Sequence, residues 1–244
     1  MTSKRLWEID FLRGLAVFAM VGSNFLFDLY FFIGLPMLSP DGWPGILARL
    51  TAGTFIFLVG VSLSLSFARR KAGGEGWPHF LKRGCGLILL GMVVSAATWF
   101  TAGNQLVIFG VLHLIGTSII ISYPFLRFGT FNAPLGLLLF LAGLYLNRFA
   151  VSFPWLIPLG LAPAHFMSVD YAPLLPWWGL VLIGIGVGSR LYRGGSRQFP
   201  LPALAQVPVV AGFCFAGRHS LIVYFAHQPV LLGSLWLYVK YLHA

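Results

Sequence analysis

Charge is what this chain has least of. Only 9% of its 244 residues are Asp, Glu, Lys or Arg, against about 25% in soluble domains, so a soluble fold with a charged surface is excluded. Cysteine is nearly missing. Cys85 and Cys214 are the two present; both fall beside predicted cytoplasmic ends of apolar segments with no C-x-x-C spacing, and read as reduced packing residues. There is no HExxH, and no apolar segment pairs a histidine with a carboxylate at i, i+4, so no metal is expected. A Ser-His-Asp hydrolase would want a G-x-S-x-G elbow, and none occurs. A P-loop and GxGxxG are likewise missing, and "GIGVG" lacks the strand and helix context that would give it meaning. No internal repeat interrupts the chain, so 1–244 reads as a single domain.

What the chain has is apolar. It is 58% hydrophobic, with 23 phenylalanines and eight tryptophans, a supply suited to lipid-facing surfaces and interfacial belts. The fold class is therefore all-α, a polytopic membrane helix bundle. Crossing the hydrocarbon core takes about 20 mainly apolar residues. Segments near 9–32, 50–68, 84–101, 107–126, 133–147, 175–192 and 219–240 qualify, which makes about seven transmembrane helices. The stretch 201–216 is apolar but carries Pro202 and Pro208, as a re-entrant or interfacial piece would. The first span follows a basic start with no small-residue cleavage site, and is expected to be retained.

Orientation follows from loop Lys and Arg. With the N-terminus cytoplasmic, the inner side holds Lys4, Arg5, Arg69, Arg70, Lys71, Lys82, Arg83, Arg127, Arg190, Arg193, Arg197 and Arg218, while the outer side holds Arg49, Arg148 and Lys240. The C-terminus is then outside, and the longest outer connection runs from about Arg148 to Leu174. The net charge of +10 is spread between apolar runs rather than along one polar face, so nucleic acid is not an expected partner; membrane lipid is.

Polar residues inside spans are costly and mark function or pairing. With about 100° of turn per residue, Arg13 falls about 300° round from Asp10, Asn24 about 320° and Asp28 back at about 0°, so the four share a sector of about 60°. Asp10 to Asp28 rises about 27 Å, nearly the membrane thickness. In the fourth span His113 has Thr117 one turn on. In the last span Ser220, Tyr224 and His227 fall at i, i+4 and i+7 on one face, and Pro229 frees a backbone carbonyl near His227. Each of these also has a structural reading: an interfacial ion pair for Asp10 and Arg13, helix–helix hydrogen bonds for Asn24 and Asp28, packing for the histidines.

Five segments occur together in order: "EIDFLRGLAVFAMVGSNFLFDL", "TAGTFIFLVGVSLSLS", "GVLHLIGTSI", "DYAPLLPWWGLVLIGIGVG" and "GRHSLIVYFAHQPV". They resemble the heparan-α-glucosaminide N-acetyltransferase catalytic-domain family, in particular its short bacterial and archaeal members, within a wider transmembrane acyltransferase group. The resemblance covers essentially the whole chain. It implies a multi-pass protein of a prokaryotic inner or plasma membrane that moves an acetyl group from acetyl-CoA on one side to a sugar amine or hydroxyl on the other. Asp10, Arg13 and Gly14 match the family's D-x-x-R-G, and His227 matches the histidine of its closing segment. Lysosomal members carry a catalytic histidine in the loop after the first span; the corresponding "IGLPMLSPDGWPGIL" has Asp41 and no histidine. Where many of the wider group have a histidine near the end of the first span, this chain has Asn24.

Acetyl transfer needs a base and oxyanion donors. The expected base is His227 or His113, oriented by Asp28 or Tyr224, with Asn24 as oxyanion donor. Arg69, Arg83, Arg218 and Arg13, the last paired with Asp10, are expected to meet the phosphates of acetyl-CoA. Asp170, Tyr171 and Tyr224 are expected to hold a sugar or glycan acceptor; for Asp170 a helix cap is the other reading. A small-solute or proton transporter, and a non-catalytic protein keeping the same fold, stay open beside the enzyme. Spacings such as Gly84 to Gly91 and Gly184 to Gly188 serve internal packing or a homo-oligomer equally.

Overall fold

A computed structural model describes residues 6–71, 76–101, 106–168 and 170–242. Lys4, Arg5 and the centre of the expected "ARRKAGGEG" loop lie outside the described residues. The chain is 80% helix, in eight α-helices among the described residues: α1 Trp7–Ile33, α2 Trp43–Lys71, α3 Trp77–Thr101, α4 Val111–Ile121, α5 Asn132–Leu146, α6 Leu174–Leu191, α7 Pro208–Arg218 and α8 Ser220–Leu242. Among the described residues, six stretches are long and apolar enough to cross a membrane: Trp7–Ile33, Pro36–Arg70, Trp77–Phe100, Pro124–Leu146, Leu174–Leu191 and Ser220–Tyr241. The protein is an integral-membrane helical bundle.

The chain divides into two compact units, one of Met1–Phe55 with Pro200–Ala244 and the other Ile56–Phe199. In the first, α1 runs unbroken because it contains no proline, and ends where Gly34 adopts φ 76° and donates its N–H to the Tyr30 carbonyl at 3.1 Å. Its apolar positions Leu12, Leu15, Phe18 and Phe25 are exposed, while Glu8, Asp10, Ser23 and Asp28 are buried. This is the inverse of a soluble helix and the expected sorting in hydrocarbon.

α1 packs on α7 and α8. Phe213 lies against Gly14 and Gly217 against Asp10, so α7 runs antiparallel to α1; a Cβ on Gly14 would strike the Phe213 carbonyl, and one on Gly217 the Asp10 carbonyl. Backbones can approach this closely only because both positions lack a side chain. α7 has 11 residues, about 16 Å, roughly half a bilayer core. It starts at Pro208, whose missing N–H costs nothing at a first helical position. Only His219 separates it from α8, which returns parallel to α1.

In the second unit, Gly84 meets Ile120, Gly91 meets His113, and the Val107 N–H reaches the Thr98 hydroxyl at 3.1 Å, so α3 and α4 are antiparallel. The expected fourth span is helical only over Val111–Ile121, bracketed by Gly110 and Pro124. With its lead-in it nonetheless accompanies α3 from Thr98 to Gly84, about 21 Å of rise, which keeps the count at about seven. α5 and α6 are antiparallel, and residues 56–71 of α2 run parallel to α6, with Phe57 against Gly184 and Val61 and Ser64 against Gly188. The core is Ile56, Leu58, Leu63, Phe80, Leu114, Ile119, Val181, Leu182 and Ile185. α3 begins at Trp77 rather than near 84, because Lys82 and Arg83 are exposed and can carry their charges away from the hydrocarbon on long apolar stems.

Candidate functional site

The polar stripe of α1 meets α8 at two successive places in the first unit. Asn24 Nδ2 lies 3.0 Å from His227 Nε2. One turn on, Gln228 Nε2 donates to both oxygens of Asp28, at 3.0 and 3.3 Å, and Asp28 is only 2% exposed. Two adjacent residues of α8 thus engage two residues of α1 spaced i, i+4, the spacing that puts them on one face.

The proton of His227 is assigned by its partners. Nδ1 sits 2.7 Å from the Tyr224 carbonyl, which can only accept, so Nδ1 carries the hydrogen. In the neutral ring Nε2 then holds the lone pair and accepts from the Asn24 amide. Pro229, inside α8, has no N–H for the carbonyl one turn back. The Tyr224 ring lies 5.9 Å from the imidazole. Of the predicted set, the fold brings together Asn24 with His227, and Tyr224 with His227. Arg13 stands 3.6 Å from Asp10 at the N-terminal end of the stripe, and exposed Arg218 ends α7, one residue past the Gly217 that touches Asp10.

The remaining predicted residues belong to the second unit. His113 and Asp170 accept successive backbone N–H groups at the start of α4: Gly110 N–H to His113 Nδ1 at 3.3 Å, and Val111 N–H to Asp170 Oδ2 at 3.0 Å. Both cap the helix, where backbone donors lack intrahelical partners. The His113 ring stacks on Phe109, 5.7 Å between centroids. Burial raises the Asp170 carboxyl above its ordinary value, and the Val111 N–H opposes that in part. Burial likewise pushes the Tyr171 hydroxyl up to about 12; that hydroxyl donates to the Ile157 carbonyl at 2.7 Å. Arg69 reaches the Gly195 carbonyl at 3.4 Å, and Arg83 is exposed. Among the described residues no group of three or more His, Cys, Asp and Glu converges as metal ligands would.

Gln228 was missed as a site residue. Its neighbour His227 drew attention as an ionisable group, whereas an amide next to a proline carries no signal without its partner, which stands 200 residues away.

Residues 5–229 match the family model described as heparan-alpha-glucosaminide N-acetyltransferase, catalytic. No curated protein and no solved structure matches the chain.

Proposed function

Since the chain belongs to the heparan-alpha-glucosaminide N-acetyltransferase catalytic family, we propose that it is an integral-membrane enzyme that moves an acetyl group from cytoplasmic acetyl-CoA to the amine or hydroxyl of a sugar, in a polar chamber within the membrane. The observation that carries this reading is the Asn24–His227 pair. It offers a neutral imidazole lone pair and an amide donor side by side, the two groups acetyl transfer asks of a protein.

Acetyl-CoA, as substrate, supplies a thioester carbonyl open to attack. His227 Nε2 takes the proton from the acceptor nitrogen or oxygen as that atom bonds to the carbonyl carbon. For this the incoming N–H or O–H replaces the Asn24 amide at Nε2. The released Asn24 Nδ2–H then donates to the carbonyl oxygen as it becomes anionic. When the carbon–sulfur bond breaks, His227 returns its proton to the departing thiolate, and the ring is neutral again. Asp28, held by Gln228, lends negative charge to the face of α1 that the imidazolium of α8 faces. Tyr224 keeps the ring oriented through its carbonyl.

The cationic groups suit a phosphorylated substrate. Arg13 and Arg218 in one unit and Arg69 and Arg83 in the other are on the side given to the cytoplasm by the loop charges, although lysine and arginine at a membrane surface also attract anionic lipid. Asp170 and Tyr171 support acceptor binding less directly, since each has a structural hydrogen bond of its own. His113 keeps the second place as base, because Gly110 already uses its Nδ1.

The test is titration of acetyl-CoA into detergent-purified, folded protein, with CoA and a nucleotide of similar charge as controls, followed by acceptor screening from glucosamine. Saturable binding with acetylated product is expected. Failure to bind in folded protein overturns the reading, and solute flux in liposomes without CoA would favour a transporter instead.

A further inference from the structure

The connection after α5 is built unlike a loop that stands in water. From Phe149 to Val169 there is no Asp, Glu, Lys or Arg. Its large apolar side chains point outward: Trp155 is 71% exposed, and Phe149, Phe153, Leu159 and Met167 are exposed too. Two aromatic pairs form the outward surface, Tyr145 with Phe149 at 5.3 Å and Phe153 with Trp155 at 5.2 Å. Tyr145 stands on the last turn of α5, so this surface continues the exposed apolar face of a membrane-crossing helix (Leu137, Leu138, Leu141, Leu144).

Several of its backbone donors are occupied internally. Val151 N–H bonds Ala162 O at 3.2 Å, Leu156 N–H bonds Phe153 O at 3.3 Å, Gly160 N–H bonds Ile157 O at 3.1 Å, Leu161 N–H bonds Leu156 O at 3.3 Å and Phe166 N–H bonds Pro163 O at 3.0 Å. Pro154, Pro158 and Pro163 have no N–H to satisfy. With its amide nitrogen toward the two carbonyls, Asn147 donates to Gly160 O at 2.8 Å and Gly143 O at 3.2 Å, tying the segment to α5. Buried Ile157 anchors it from below, its carbonyl taken by the Tyr171 hydroxyl.

We infer that the surface formed by Tyr145, Phe149, Phe153, Trp155 and Leu159 is a lipid-binding surface, seated in the boundary between headgroups and acyl chains. Irregular backbone survives near hydrocarbon only when its own polar groups are satisfied, and aromatic rings prefer the interface. Exposed Arg148, just before the uncharged run, is the group for lipid phosphate. Among partners, a bilayer fits because the patch is continuous with the exposed apolar face of the membrane-crossing helix α5 and lacks the charges that would order a soluble protein on it.

The experiment compares wild-type protein with Trp155→Phe in proteoliposomes, reading the Trp155 contribution to emission as the difference. Lipids brominated high on the acyl chain and aqueous iodide are the quenchers. Ser152→Cys carrying a nitroxide gives a second reading, oxygen against a water-soluble nickel chelate. The expected result is loss of the Trp155 component with shallow brominated lipid, protection from iodide, and oxygen exceeding nickel at position 152. Iodide quenching without lipid quenching overturns the inference, and so does protection from both quenchers, which would mean that protein covers the patch. None of these outcomes depends on acetyl transfer.

Discussion

His227 carries its hydrogen on Nδ1 because a carbonyl faces it, and this turns a half-buried histidine into a base of defined direction. In the acetyltransferase reading, His227→Ala lowers kcat about 100- to 10,000-fold, measured by product formation at saturating acetyl-CoA. Unchanged activity in both His227→Ala and His113→Ala would remove histidine from the mechanism. Asp170 allows a test that needs no assay. Its carboxyl is raised by burial, so the folded chain holds that proton to higher pH than the unfolded chain does. The contribution to stability is fully present below the ordinary carboxylate value and is lost as pH rises through the raised one. Asp170→Asn keeps an oxygen for the Val111 N–H but cannot ionise. Melting profiles from pH 4 to 8 should therefore converge at the acid end, with the variant more stable toward neutrality. The α1 stripe was readable from spacing because helix periodicity alone puts Asp10, Arg13, Asn24 and Asp28 on one face. The Gln228 contact was not, since no local rule links an amide to a carboxylate across so much chain.

Among the elements, α7 carries the least expected geometry. Pro202 and Pro208 marked its region as unable to cross simply, and the half-length helix agrees with that. What the sequence hid was the depth of its contact with α1: glycines serve loose loops and tight crossings alike, and only the facing carbonyl tells them apart. Gly14→Ala should destabilise by about 1–3 kcal/mol through overpacking, read as a lower midpoint in a detergent thermal melt. Gly22→Ala, on the same helix with nothing within 4 Å of an added Cβ, should leave that midpoint unchanged or raise it slightly, as removal of a helical glycine usually does.

For the whole molecule the decisive element is α4. Composition and run length revealed an all-helical membrane protein, but an 11-residue helix is shorter than any run-length rule would accept, and its crossing rests on its alignment with α3. In a background with Cys85 and Cys214 replaced, Asn104→Cys and Arg127→Cys should react with an impermeant maleimide from opposite sides of the membrane. Reaction from one side would leave six crossings and return both termini to the same compartment. The Asn24–His227 bond has a consequence for the economy of the cell. A thioester held beside a bare base would leak to water, and every leak wastes an activated acetyl group. A base whose lone pair is already engaged stays idle until an acceptor strong enough to displace the amide arrives. Asn24→Ala should therefore raise thioester hydrolysis relative to transfer even as total turnover falls, leaving an enzyme that spends its donor without a recipient.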